Sequence, residues 1–261
     1  MPKITDDDAH SRHRGRPYED VVADALRTPI RGWDFSWLIG RADCEDLPWD
    51  YMALARRAVS HATCLLDTDT GGGDVLASLA PLPAAIATEP YPPNVPIATA
   101  RLGPLGVDVR AGTAANLPVN DEEVDLVLNR HGALDPTQIA RVLAPQGVFL
   151  TQQVGSRNDL GFNDALGAPA ASHPDAHTLA LTVAGLEDAG LVIDHAQEAY
   201  PVTRYFDIGA VVFQLRSVPW QVPNFNVRKS ERHLRILDAH IRSTGSFDVK
   251  NHRFLIHAHK P

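Results

Sequence analysis

The chain has 261 residues, 44% of them apolar and 21% charged. That composition belongs to a globular protein with a sizeable core, and it excludes a disordered, collagen-like or disulfide-stapled chain. No apolar run approaches the roughly 18 residues that a bilayer span needs, and the net charge of −8 argues against a nucleic-acid backbone as partner. The expectation is therefore no membrane, no nucleic acid and a small-molecule partner, with the chain acting as a monomer or homodimer. Cys44 and Cys64 form no CxxC pair, and the polar start, Met1 to Tyr18, has no apolar signal segment. Both point to a cytoplasmic protein.

Residues 1–30 read as a flexible lead-in, because Asp6-Asp7-Asp8 and the Arg/His run from His10 to Arg16 bury little apolar surface. Residues 31–61 read as a helical and aromatic cap. They hold Trp33, Phe35, Trp37, Trp49 and Tyr51, and Asp50 stands at a helix start. From Ala62 onward, short apolar runs alternate with helical stretches, the pattern of a parallel sheet covered on both faces. Strands are predicted at 63–67, 84–88, 107–110, 124–128 and 148–154, with helical segments near 75–79, 95–105 and 136–143. A helix at 178–189 ends at Gly190 and a strand at 191–196 follows. An apolar run spans 208–218, a charged helix 227–243, and an alternating strand 252–259 closes the chain. The reading is one α/β domain over 62–261, with a substrate-side insertion around 200–243.

The sharpest motif is Leu65-Leu66-Asp67-Thr68-Asp69-Thr70-Gly71-Gly72-Gly73-Asp74, a strand followed by a glycine-rich turn and a helix start. Glycines there let a ligand approach the backbone. Glu89 ends the next strand, where a carboxylate can accept from both hydroxyls of a ribose. Together these point to a nucleoside cofactor. A dinucleotide brings a pyrophosphate, which Asp67, Asp69 and Asp74 would repel. The sulfonium and ammonium groups of S-adenosylmethionine suit those carboxylates.

Residues 62–155 resemble the core of the class I S-adenosylmethionine-dependent methyltransferases, of the small-molecule, type 11-like kind. The resemblance rests on the Asp67–Gly73 turn, Thr88-Glu89, Gly112-Thr113-Ala114-Ala115-Asn116-Leu117-Pro118, Val124-Asp125-Leu126-Val127-Leu128 and Ile139–Gly147. It implies a Rossmann-like, seven-stranded, mostly parallel sheet with an antiparallel last strand and helices on both faces. It also implies S-adenosylmethionine as methyl donor and S-adenosylhomocysteine as product. By position, Asp67, Asp69, Thr70, Gly71 and Gly73 would line the donor. Glu89 would bind its ribose and Tyr91 would pack on the adenine. Thr113 and Ala114 would meet the adenine edge, and Asn129 would lie beside the methionyl part. The chain departs from the family at Asp69, which replaces the first glycine of the turn, and at Thr113, where an aspartate is common. These departures leave open a methyltransferase-like enzyme that catalyses a cyclisation or rearrangement, or a binding protein with a vestigial pocket.

Ligands of such sheets lie at the carboxyl ends of the strands. That makes His131 the candidate general base, Arg130 a holder of a substrate carboxylate, and Gln152, Gln153 and Tyr205 substrate contacts. Tyr200, Arg204, Trp220 and Phe225 are further pocket candidates, with Trp33, Phe35, Trp37 and Arg41 as a cover. No metal site is expected: His257 and His259 share a strand face and read as a solvated edge.

Overall fold

The computed structural model describes residues 15–30, 32–170 and 173–261. The acidic run at Asp6–Asp8 and most of the basic run that follows lie outside them. The chain divides into two compact units. One comprises Pro48–Gly155, His177–Ala199 and Arg253–Pro261. The other comprises the residues up to Leu47, Ser156–Ala176 and Tyr200–His252.

The first unit is built on a seven-stranded sheet. Its strands are β1 (Cys64–Thr68), β2 (Ala84–Glu89), β3 (Val107–Ala111), β4 (Val124–Arg130), β5 (Leu143–Val154), β6 (Val192–Ala199) and β7 (Arg253–His259). Their spatial order is β3-β2-β1-β4-β5-β7-β6, and β7 alone runs antiparallel to its neighbours. This is the Rossmann-like sheet with an antiparallel last strand that the family resemblance implies. Helices α1 (Tyr51–Val59), α2 (Asp74–Ala77), α3 (Val95–Leu102), α4 (Pro136–Val142) and α5 (Leu179–Asp188) connect and cover the strands.

Each central strand is apolar on both faces because helices pack on both. Leu65 and Leu66 point to opposite sides and are both fully buried, one in each of two separate clusters. Burying such a side chain is worth roughly 2 kcal/mol. The helices start where short polar side chains cap them. Asp50 accepts from Ala53 N at 3.0 Å, Asp135 from Gln138 N at 3.1 Å and Thr178 from Leu181 N at 3.3 Å. Gly190, at φ +90°, ends α5 as expected.

The second unit has its own core. A three-stranded antiparallel sheet pairs Ala42–Cys44 with Val202–Tyr205 and the latter with Phe247–Lys250. Helices Tyr18–Arg27, Leu160–Leu166, Ile208–Ser217 and Glu231–Thr244 belong to the same unit. Two expectations change here. The lead-in predicted to be loose contains a ten-residue helix whose Val21, Val22 and Ala25 are buried against Ile208–Ser217. Its apolar stripe is short and its covering partner is distant in sequence, so local polarity concealed it. The N-terminal segment and the 200–250 region, taken as separate decorations, share this single core.

Candidate functional site

In the sheet unit the strand order reverses between β1 and β4, and the carboxyl ends of these two strands form the crevice where ligands of such sheets lie. The loop after β1 carries three residues with left-handed backbone: Asp69 at φ +54°, Gly71 at +63° and Gly73 at +79°. Gly73 must be glycine for a second reason, since a Cβ there would stand 2.7 Å from Leu102 Cγ. The loop is pinned from outside by Arg101, which donates to Gly72 O and pairs with Asp74 at 2.8 Å. That pairing removes Asp74 from the carboxylates that face a ligand.

Asp69 reaches across the reversal point. Its Oδ2 accepts from Ala133 N at 2.7 Å, and its Cβ occupies the space that a side chain on Gly132 would need. The loop after β1 is thereby tied to the loop after β4. Glu89, 3% exposed at the end of β2, accepts from Gly71 N at 2.7 Å through Oε2 and from Tyr91 N at 2.8 Å through Oε1. Tyr91 itself presents an open ring, and Thr113 and Ala114 follow the end of the adjacent β3. Burial pushes the Asp67 carboxyl up to about 7, against a hydrogen bond from the Thr70 side chain and with the Asp69 charge adding to the rise. Burial also raises Asp69, with Glu89 adding to it. Asp69 Oδ1 and the hydroxyl of Thr88 are buried with no hydrogen-bond partner. Asp67, Asp69 and Glu89 have no ion-pair partner among the described residues.

A second polar network runs along the ends of β4 and β5. Asn129, fully buried, uses every hydrogen-bonding capacity of its amide. Nδ2 donates to Thr68 Oγ1 at 2.8 Å and to Ala133 O at 3.1 Å, while Oδ1 accepts from Thr151 Oγ1 and Gln153 Nε2. The residue expected beside the methionyl group is instead an internal hub, with its side chain saturated by the protein. Gln153 completes the hub and meets His177 Nε2 at 3.3 Å through Oε1. Gln152, on the opposite face, accepts from Trp49 Nε1 at 2.8 Å and lies 2.8 Å from His131 Nε2 through its own Nε2. Both glutamines are buried and partnered inside the protein, so they frame the site more than they reach into it.

These bonds decide the state of His131. An indole N–H only donates, so the Gln152 oxygen faces Trp49 and its NH2 faces His131. The His131 Nε2 must then accept, and the ring is neutral with its proton on Nδ1. Burial of the ring and the charges of Arg253 and Arg130 hold its pKa down, at about 3, although the residue keeps an open edge to solvent. The expectation of a general base is corrected on this geometry: Nε2 is occupied and Nδ1 carries the proton. His131, Gly132, Ala133, Gln153, Val154 and His177 border a cavity of about 350 Å3.

Tyr205 belongs to the second unit. It lies in that unit's core, 2% exposed, with its ring 5.2 Å from that of Phe162. Its assignment as a substrate contact gives way to one in packing. His257 and His259 both turn Nδ1 to Asp194, at 3.1 and 2.9 Å, and no metal-binding cluster occurs among the described residues. Trp49 and His177 were not singled out as site residues. Trp49 stood in an aromatic cluster that reads as packing, and His177 reaches Gln153 only through the fold.

No family model and no curated protein matches the sequence. Solved structures do. A candidate methyltransferase from Bacillus halodurans superposes with a TM-score of 0.59 at 19% identity, over 80% of this chain and 98% of that one. The YcgJ protein of Bacillus subtilis gives 0.59 at 20% identity, over 80% and 97%. The 4+2 cyclase SpnF gives 0.53 at 16% identity, over 93% of each chain. Strand order, the single antiparallel strand and these superpositions together show that the chain has the Rossmann-like methyltransferase fold.

Proposed function

We propose that the chain binds S-adenosylmethionine at the loop after β1 and transfers its methyl group to a small molecule. The observation that carries this reading is the acid set Asp67, Asp69 and Glu89, which has no counter-cation among the described residues and stands with orphaned buried atoms at Asp69 Oδ1 and Thr88. A ligand that brings positive charge and hydrogen-bond donors satisfies these groups, and a pyrophosphate does not. The residues present therefore fit the donor. Asp67 and Asp69 would face its charged methionyl end. Glu89 keeps a second lone pair on each oxygen for the ribose hydroxyls, and Tyr91 offers a ring face to the adenine. Thr113 and Ala114 would lie at the adenine edge, while Asn129 is withdrawn from the donor contacts. When bound, the donor supplies an electrophilic methyl group, and the chain's residues orient the partners and exclude water.

Calorimetry with S-adenosylmethionine, S-adenosylhomocysteine and NAD tests the reading. The two S-adenosyl compounds should bind and NAD should not, and Glu89→Ala should weaken both by tenfold or more. At 100 times the dissociation constant, bound donor should stabilise the fold by about 2.7 kcal/mol. Absence of heat from both S-adenosyl compounds refutes it. A second reading, chemistry on this scaffold without methyl transfer, draws on the unsuitability of His131 as a base and on the likeness to SpnF, a cyclase by name. Product analysis separates the two.

A further inference from the structure

The cavity beside His131 belongs to the acceptor side of the site just proposed, and the inference below rests on that reading. On the sheet face that carries Gln152, strand register places Arg130 directly opposite Gln152, and Arg253 opposite Val154. Residues paired across strands share a face, so two cations flank the ring that Gln152 holds. Arg130 lies 5.8 Å from the Tyr51 ring and has no carboxylate partner among the described residues. The Nδ1–H of His131 has no partner there either. The acid groups Asp67, Asp69 and Glu89 stand at the ends of β1 and β2 or in the loop between them, whereas His131 offers a fixed donor here and Arg130 beside it has no carboxylate partner among the described residues.

We propose that His131 Nδ1–H and Arg130 receive an ionised oxygen of the acceptor, making the substrate class a small carboxylate or comparably acidic molecule. Trp49 and Gln152 act as positioning residues by fixing the His131 tautomer. An acceptor of this kind needs no general base, which removes the difficulty that His131 cannot serve as one. Its oxygen lone pair forms the new C–O bond as the methyl–sulfur bond breaks, sulfur retains that electron pair, and no proton has to leave. The groups that act on His131 are Arg130 next to it and Arg253 from β7, and both oppose its protonation.

The test is a titration of the full-length, 15N-histidine-labelled protein with benzoate and with benzamide, without any S-adenosyl compound. His131, assigned by its loss in His131→Gln, should show an Nδ1–H tautomer that does not titrate between about pH 5 and 8. Benzoate should shift it and bind at least tenfold more tightly than benzamide. Arg130→Gln should erase that preference while leaving the tautomer and thermal unfolding unchanged. Trp49→Phe should free the Gln152 amide to turn and let His131 populate the Nε2–H tautomer as well. Equal binding of the two probes, an Nε2–H tautomer in the parent protein, or a preference that survives Arg130→Gln overturns the proposal. Because no methyl donor is present, a failure here is distinct from a failure to bind S-adenosylmethionine.

Discussion

Replacing Asp67 by Asn exposes the energetic consequence of placing a carboxyl at the end of a fully covered strand. Asp67 is 6% exposed, and its carboxyl sits near 7 against 3.8 in an unfolded chain, chiefly because burial penalises the charge. An acid whose pKa is raised by folding binds its proton more tightly in the native state. Its contribution is therefore complete below about pH 4 and is lost as pH rises through 7. The slope is about 1.4 kcal/mol per pH unit over that window, which amounts to about 4 kcal/mol. Asn is nearly the same shape and carries no charge, so the variant escapes this loss. His131 acts in the opposite sense. It is neutral in the fold and takes up a proton on unfolding, so its contribution grows with pH up to about 6.5. The two slopes offset each other in the parent protein, and the variant pair is needed to separate them. Urea unfolding of both proteins at four pH values between 5 and 8 should show the stability of Asp67→Asn rising relative to the parent, and levelling above pH 7. A difference that does not change with pH would refute a buried, proton-binding Asp67.

Two further predictions address packing and the hub. Gly73→Ala forces a Cβ to within 2.7 Å of Leu102 Cγ at φ +79°, and should lower stability by about 2–3 kcal/mol, read as a fall in the urea midpoint with unchanged m. Asn129→Leu takes one hydrogen-bond partner each from the hydroxyls of Thr68 and Thr151, the Gln153 amide and Ala133 O. It should cost about 3 kcal/mol or more in the same assay, and restore solvent exchange at the Ala133 amide, whose Asp69 bond depends on that loop.

The local chemistry of the chain determines the sheet unit. Largely apolar runs at 63–67, 84–88 and 124–128, punctuated by capping residues such as Asp50, Asp135 and Thr178, admit few arrangements other than a parallel sheet covered on both faces. The glycine-rich turn with Glu89 one strand later marks the ligand-binding edge, because those features lie within about 30 residues and depend on backbone conformation more than on distant neighbours. Positive φ at Asp69 was foreseeable for the same reason, as Asp tolerates the left-handed region better than most residues.

What required the tertiary structure is the way polar side chains spend their hydrogen bonds. Whether Asn129 or Gln153 faces a ligand depends on Thr68, Thr151, Ala133 and His177, which come from other strands and loops. Whether His131 is a base depends on an indole about 80 positions earlier, acting through Gln152. Tyr205 and the stripe of Val21, Val22 and Ala25 likewise carry no local sign of burial, since their neighbours come from distant segments, about 40 residues away for Tyr205 with Phe162 and about 190 for the stripe. Backbone preference and apolar period are properties of short stretches, while hydrogen-bond satisfaction and pKa are set by whatever the fold brings within about 4 Å.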